Sequence, residues 1–400
     1  MQGSRRPSRL QFTSVLGFLL LATALTACAN LQSAPRRELV LETSWVRSTT
    51  KNENLGFRRM NRMSPVFFDN GPQKLVIQGN AIDGIVAYDR RTGSQVWRLD
   101  LENGVEGGAT LSGDRLYFGS SDGSFYAVSA RDGRVLWSTN LRAETLAPPS
   151  VENGIVYAQS GADVVFAFDA ETGKQLWRYN RQVPTSLSIR ATTRPVVAGE
   201  LLLAGFSDGY LVALKKRDGA LVWERKFGRS QRFHDVDSTP VVDGKNVYVA
   251  SFDAALYSLK LDTGEINWMV SEGAYVPVTL GQGAFADRLY YSTANGKILI
   301  LDKGSGKPIG EIQVKKGIAT QPVLYKNYLI YGESDGAYTV ADAQSGATIA
   351  SFYPGEGVVA RPAVLSSTGE AFFISRGANL YALRMNYKRT IDEFPWRKGI

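Results

Sequence analysis

A unit of about 40 residues recurs along this chain, and no other feature restricts its fold as tightly. Aligned on a turn glycine, five copies read AYDRRTGSQVW, AVSARDGRVLW, AFDAETGKQLW, ALKKRDGALVW and SLKLDTGEINW, ending at Trp97, Trp137, Trp177, Trp223 and Trp268. Two weaker copies follow, ILDKGSGKPIG with Gly310 in the tryptophan slot and VADAQSGATIA with Ala350 there. The glycines are Gly93, Gly133, Gly173, Gly219, Gly264, Gly306 and Gly346, spaced by 40, 40, 46, 45, 42 and 40 residues. A period this regular describes an array of one small structural unit, and it overrides the usual reading of a 400-residue chain as two or three separate domains.

Each unit reads as four short antiparallel strands. In the second copy these are residues 107–111, 115–120, 124–130 and 134–141. The segments LYFGS, IVYAQ, VYVAS and LIYGE are β-branched and aromatic, and no stripe of period 3.6 competes with them. Asp122-Gly123, Asp208-Gly209, Asn295-Gly296 and Asp335-Gly336 fall between second and third strands, where a two-residue hairpin with positive φ is expected. Four-stranded units at this spacing predict an all-β fold, an eight-bladed β-propeller of four-stranded antiparallel blades. The eighth copy, ANLYALRMNYK from Ala378 to Lys388, stops before an outer strand. Leu39-Val40-Leu41-Glu42-Thr43-Ser44-Trp45 has the alternation and final tryptophan of that missing strand, so residues 39–48 are expected to close the last blade by pairing N- and C-terminal strands.

The ends read differently. Arg5, Arg6 and Arg9 precede an apolar run from Val15 to Leu25, with no acid before Glu38, the pattern of a cleaved secretory signal over residues 1–27. Leu25-Thr26-Ala27-Cys28 resembles the lipobox of bacterial lipoproteins, which implies that Cys28 is acylated and becomes the mature first residue; Ala29 after it implies sorting to the outer membrane. Residues 28–38 are then the lipidated cysteine and a tether, 39–388 the propeller, and 389–400 a tail whose Phe394 and Trp396 have no assigned partner. Losing three arginines and no acid with the signal lowers the net charge from +8 to +5, too small and too dispersed to argue for nucleic acid.

The repeated tryptophans occupy one slot in successive units and are expected to pack between blades. The glycines end turns and lead into strands, so they serve the backbone and cradle no phosphate. The form A-x-D-x-x-T-G-x-x-x-W resembles the repeat of the pyrroloquinoline-quinone propeller superfamily, over about residues 58–388. That superfamily contains dehydrogenases that use a vicinal cysteine disulfide and a calcium site. Cys28 is the only cysteine here, and His234 the only histidine, so neither that disulfide nor a histidine metal cage is available. No cofactor, metal or catalytic residue is assigned, and the chain is expected not to be an enzyme.

The two long steps place extra residues between copies three and four, Asn180 to Arg194, and between copies four and five, Gly228 to Pro240. In an antiparallel blade these connections leave on the same face as the hairpins between second and third strands. Loops on a rigid scaffold are where binding groups tend to sit. Leu187-Ser188-Ile189-Arg190 and Asp235-Val236-Asp237-Ser238-Thr239-Pro240 resemble the paired loop motifs of the BamB family, the lipoprotein subunits of the outer-membrane β-barrel assembly machinery. Ile189 and Ala191 stand where that family usually has leucine and glycine. The resemblance implies a non-catalytic scaffold, lipid-anchored on the periplasmic face of the outer membrane, that docks on the POTRA domains of the barrel subunit BamA. It implies that Leu187 and Ile189 are apolar anchors, Arg190 a donor to the partner, and Asp235 and Asp237 the acidic side of the patch. An arginine flanked by apolar side chains with carboxylates nearby also has the composition of an interface hot spot. Internal pairing of Arg190 with Asp235 or Asp237 is the alternative at the level of residues. Direct contact with unfolded outer-membrane proteins stays open, as does the alternative of a periplasmic dehydrogenase-like or envelope ligand-binding propeller.

Overall fold

The computed structural model describes residues 36–51, 60–181, 193–227, 236, 238–251 and 255–390. By contacts the chain divides into two units, Leu41–Met385 and a second made of Met1–Val40 with Asn386–Ile400. Of the second, the described residues are the outer ends of the first and last strands. The first unit carries everything that follows.

Among the described residues, 32 strands form eight four-stranded antiparallel sheets, the blades of a β-propeller. The second blade runs Ala109–Ser112, Arg115–Gly119, Ser124–Ser129 and Val135–Asn140, within two residues of expectation at each boundary. Seven blades take their strands in chain order. The eighth does not: Ala363–Val364, Ala371–Ile374 and Asn379–Thr390 are completed on the outside by Arg36–Ser48 from the other end of the chain.

The repeat motif explains how blades hold one another. Each of the five repeat tryptophans faces a small residue across the sheet, as in Ala87 opposite Trp97, Ala127 opposite Trp137 and Ala167 opposite Trp177. A β-bulge follows that pair in every one of these blades. The indole then reaches the next blade. Trp45, Trp97, Trp137, Trp177 and Trp223 donate Nε1–H to the carbonyls of Arg90, Ala130, Ala170, Lys216 and Leu261 at 2.9–3.1 Å. Their rings cover the following blade's turn glycine so closely that a Cβ there would lie 2.6–2.7 Å from the ring. Where the tryptophan is lost the gap is refilled. Gly310 faces Ile300 and Ala350 faces Val340, and Ile312 covers Gly346 in place of an indole. Trp45 and Trp97 are 6% exposed, whereas Trp137, Trp177, Trp223 and Trp268 are half-buried.

The hairpins between second and third strands depart from expectation. Ser120 N–H donates to the Ser124 carbonyl and Gly123 N–H to the Ser120 carbonyl, so the loop has three residues rather than two, with Gly123 at φ 87° in the position that closes a type I turn. The same bonds recur at Phe206–Tyr210, Thr293–Lys297 and Glu333–Ala337. Gly336 in the last of these is not in the left-handed region, and in the third blade Asp163 takes that position at φ 57°.

The aspartates of the A-x-D motif close the other turns. Asp169 Oδ1 accepts from Thr172 N–H and Oγ1 (2.8 and 2.7 Å), and Asp302 Oδ1 from Ser305 N–H and Oγ (2.8 and 2.5 Å). These hydrogen bonds hold both carboxyls below the usual carboxylate range. A depressed folded pKa contributes stability above the unfolded value, and that stability is lost as pH falls through the folded value. Melting temperature is therefore expected to fall below about pH 4, and Asp169→Asn with Asp302→Asn should flatten that acid limb. An unchanged limb in calorimetric scans from pH 2 to 6 would count against the turns as its origin.

Candidate docking face

Both long connections spring from one small platform. It is the hairpin of blade four, Gly205-Phe206-Ser207-Asp208-Gly209, between the strands Leu201–Gly205 and Tyr210–Lys215. The first connection leaves blade three at Arg181, whose Nε donates to Asp208 Oδ2. It returns at Thr193, whose Oγ1 donates to the Gly205 carbonyl at 3.0 Å. The second leaves blade four at Phe227, whose N–H donates to the Gly209 carbonyl at 2.8 Å. It returns at Val236, whose N–H donates to the Phe206 carbonyl at 3.2 Å. Five consecutive residues thus hold all four stems.

Chemistry at each stem explains its rigidity. Arg181 also pairs with Glu224 at 2.7 Å and lies over the Tyr210 ring, 4.1 Å from its centroid. Its side chain is 15% exposed. Burial opposes its charge, but the hydrogen bonds and charges of Asp208 and Glu224 more than offset burial and raise its pKa further. Phe227 is buried, with its ring centroid 4.5 Å from that of Tyr257. Val236 is buried too, and its Cγ1 would lie 2.7 Å from a Cβ at Gly205, so only glycine lets the stem approach. The returning stems also touch each other, through Arg194 N–H to Thr239 Oγ1 at 3.0 Å.

Asp163 supports the platform from blade three. It is buried, and its carboxylate accepts from Ser207 Oγ and from Ser207 N–H at 3.2 Å. Burial pushes its carboxyl up, with the Ser207 hydrogen bonds opposing. The equivalent position is glycine in blades two, four, six and seven, and Ala378 at φ 60° in blade eight. An aspartate accepts the left-handed backbone because its side chain reaches across to the neighbouring hairpin.

Leu187, Ile189, Arg190, Asp235 and Asp237 lie outside the described residues, as do His234 and Cys28. What the structure places is the stems of the two long connections. Arg181, Asp163 and Asp208 carry no sequence motif that marks them as parts of a site. The one signal for Asp163 is Ala162-Asp163 standing where four other blades have Asp-Gly or Asn-Gly. Among the described residues no group of three or more histidine, cysteine, aspartate or glutamate side chains is arranged to hold a metal ion.

Known proteins share both the sequence pattern and the ring. A family model described as outer membrane protein assembly factor BamB matches residues 83–285. A curated protein of that description from Salmonella typhimurium is 31% identical over 80% of this chain and 85% of its own length. Among solved structures, BamB from Moraxella catarrhalis superposes with a TM-score of 0.70 at 21% identity, covering 86% of this chain and all of that one. A quinohemoprotein alcohol dehydrogenase from Comamonas testosteroni reaches 0.69 at 14% identity, covering 86% of this chain and 76% of its own. At such identities the two structures speak for the fold alone, and the near-equal scores show that the ring itself does not separate assembly factor from enzyme.

Proposed function

The chain belongs to the outer membrane protein assembly factor BamB family, and on that premise we propose that it is a non-catalytic, lipid-anchored scaffold that docks on the POTRA domains of the barrel subunit BamA and supports insertion of β-barrel proteins. In this reading Cys28 carries the anchor in the outer membrane. Leu187 and Ile189 enter apolar sites on the partner, Arg190 donates to it, and Asp235 and Asp237 form the acidic side of the contact.

One observation carries the reading beyond family membership: a single five-residue hairpin pins all four stems of the two long connections. Loops that bind lose less conformational entropy when their ends are already fixed, which converts more of each contact into affinity.

The test is capture of BamA from a mild-detergent extract by the full-length protein. Arg190→Ala is expected to weaken capture by about tenfold or more, as for a central interface arginine, with an unchanged melting curve. Asp208→Ala, which removes one of the two carboxylates that hold Arg181 without touching the loop residues, should weaken it less. Full capture by both variants would overturn the docking assignment. Quinone absorbance with calcium-dependent dye reduction in the purified protein would favour the dehydrogenase-like alternative.

A further inference from the structure

Eight positions, one per blade, form a collar around the axis of the ring. The inner strands are tied tangentially by hydroxyl groups. Thr110 Oγ1 donates to the Pro149 carbonyl and Thr279 Oγ1 to the Pro322 carbonyl, each at 2.6 Å, and the Ser150 hydroxyl donates to the Pro195 carbonyl. The residue just before each accepting proline is the one that faces the opening: Pro148, Gln321 and Arg194. Its flanking residues are buried while it is not, as in Thr193-Arg194-Pro195 and Ala360-Arg361-Pro362. Neighbouring positions touch. A Cβ on Gly108 would lie 2.6 Å from the Pro148 ring, and Arg194 N–H bonds to Thr239 Oγ1.

Six of the eight positions are neutral: Ser64, Gly108, Pro148, Thr239, Pro277 and Gln321. The other two are Arg194 in blade four and Arg361 in blade eight, four blades apart and therefore on opposite sides of the opening. No acid belongs to the collar. Elsewhere near this end of the ring arginines have carboxylates, Arg376 with Asp335 at 2.7 Å and Arg181 with Asp208 and Glu224. Arg194 donates Nε–H to Ser150 Oγ at 3.1 Å, and among the described residues neither collar arginine has an acidic partner. Arg361 is open to solvent, yet burial lowers the pKa of both guanidinium groups, the combination found on a concave wall. A cation held in partial desolvation without a counter-charge is unfavourable, and an anion with paired oxygens relieves it.

We propose that the axial channel binds a small, multiply charged oxyanion, a phosphate or a polycarboxylate, between Arg194 and Arg361. The rest of the wall contributes neutral donors such as Gln321 and Thr239, so charge comes from the two arginines alone. Arg194 and Thr239 stand where the two docking connections return to the ring, but the site uses none of the loop residues assigned to docking.

The experiment titrates the full-length protein with inorganic phosphate and, separately, with citrate, against sodium chloride of matched ionic strength, following heat of binding and melting temperature. Saturable binding of either anion is expected, with a rise in melting temperature that chloride does not reproduce. Binding of phosphate alone assigns a phosphoryl ligand, and of citrate alone a carboxylate one. Arg194→Gln and Arg361→Gln should each weaken binding about tenfold or more, and the double variant should bind neither anion while melting no lower than the parent, since each change removes an unpaired charge. Failure of both anions to saturate, or binding that survives in the double variant, overturns the proposal. Capture of BamA by Arg361→Gln alone, four blades from the docking connections, should be unaffected, which keeps the result distinct from the docking test.

Discussion

Deleting residues 39–48 is expected to lower the melting temperature by more than about 10 °C, or to leave the protein insoluble, because these residues are the outer strand of the eighth blade and the latch onto the first. Trp45 is 6% exposed and shares a core with Val76, Val86 and Tyr88 of the first blade and Phe372, Leu380 and Ala382 of the eighth. Its Nε1–H donates to the Arg90 carbonyl at 3.0 Å, and its ring covers Gly93. Just beyond the strand, Thr49 N–H and Oγ1 both donate to the Ala378 carbonyl at 2.8 and 2.7 Å, and Tyr88 Oη donates to the Ser48 carbonyl at 2.7 Å. Without the segment, the strand Asn379–Thr390 becomes an open sheet edge, and the ring loses one of its eight seams. Trp45→Ala isolates the latch from the strand. A buried tryptophan truncated to alanine costs about 3–5 kcal/mol, or about 4–7 °C for a chain of this length. Trp268→Ala, at a half-buried copy of the same slot, should cost less. A deletion variant that melts with the parent would show that the ring closes by other means.

Tryptophan, a small residue across the strand, and a glycine in the next blade's turn form one device, and all three recur along the sequence at regular spacing. That is why the blade count and the closure by Leu39–Trp45 are legible in the sequence alone. Compensation is less visible. Ile300 and Val340 enlarge where Gly310 and Ala350 replace tryptophan, but a larger aliphatic in a strand draws no notice until its cross-strand partner is known. Loop length in the hairpins is ambiguous for a related reason. Asp-Gly suits both a two-residue turn and the end of a three-residue one, and only the pairing of Ser120 with Ser124 distinguishes them.

Sites are harder still. The stems at Arg181, Thr193, Phe227 and Val236 are spread over 56 residues, and nothing local marks them as sharing one hairpin. Their convergence follows from blade geometry: the hairpin between second and third strands lies on the face where outer strands hand over to the next blade. Arg194 and Arg361 are likewise invisible as a pair. Each is an ordinary arginine before a proline, and only the register of the inner strands sets them on one collar.

Gly133→Ala should destabilise the ring far more than Gly113→Ala, although both glycines have φ in the left-handed region, 74° and 58°. At Gly113 the space around a Cβ is open, so the variant costs only the backbone preference, about 1–2 kcal/mol. At Gly133 the added Cβ would lie 2.6 Å from Cε3 of Trp97, an indole held by its hydrogen bond to the Ala130 carbonyl at 2.9 Å and packed in the core between the first two blades. Forcing that ring aside adds an overpacking cost of about 1–3 kcal/mol. The two contributions separate in a double-mutant cycle with Trp97→Ala. Once the indole is gone the methyl has room, so Gly133→Ala in that background should cost no more than Gly113→Ala does in the parent, leaving a coupling of about 1–3 kcal/mol between residues 97 and 133. Denaturant unfolding of the four proteins gives the coupling directly. A Gly133→Ala penalty that is the same with and without the tryptophan would mean the glycine is there for its backbone alone, and that the indole-on-glycine contact is not what joins one blade to the next.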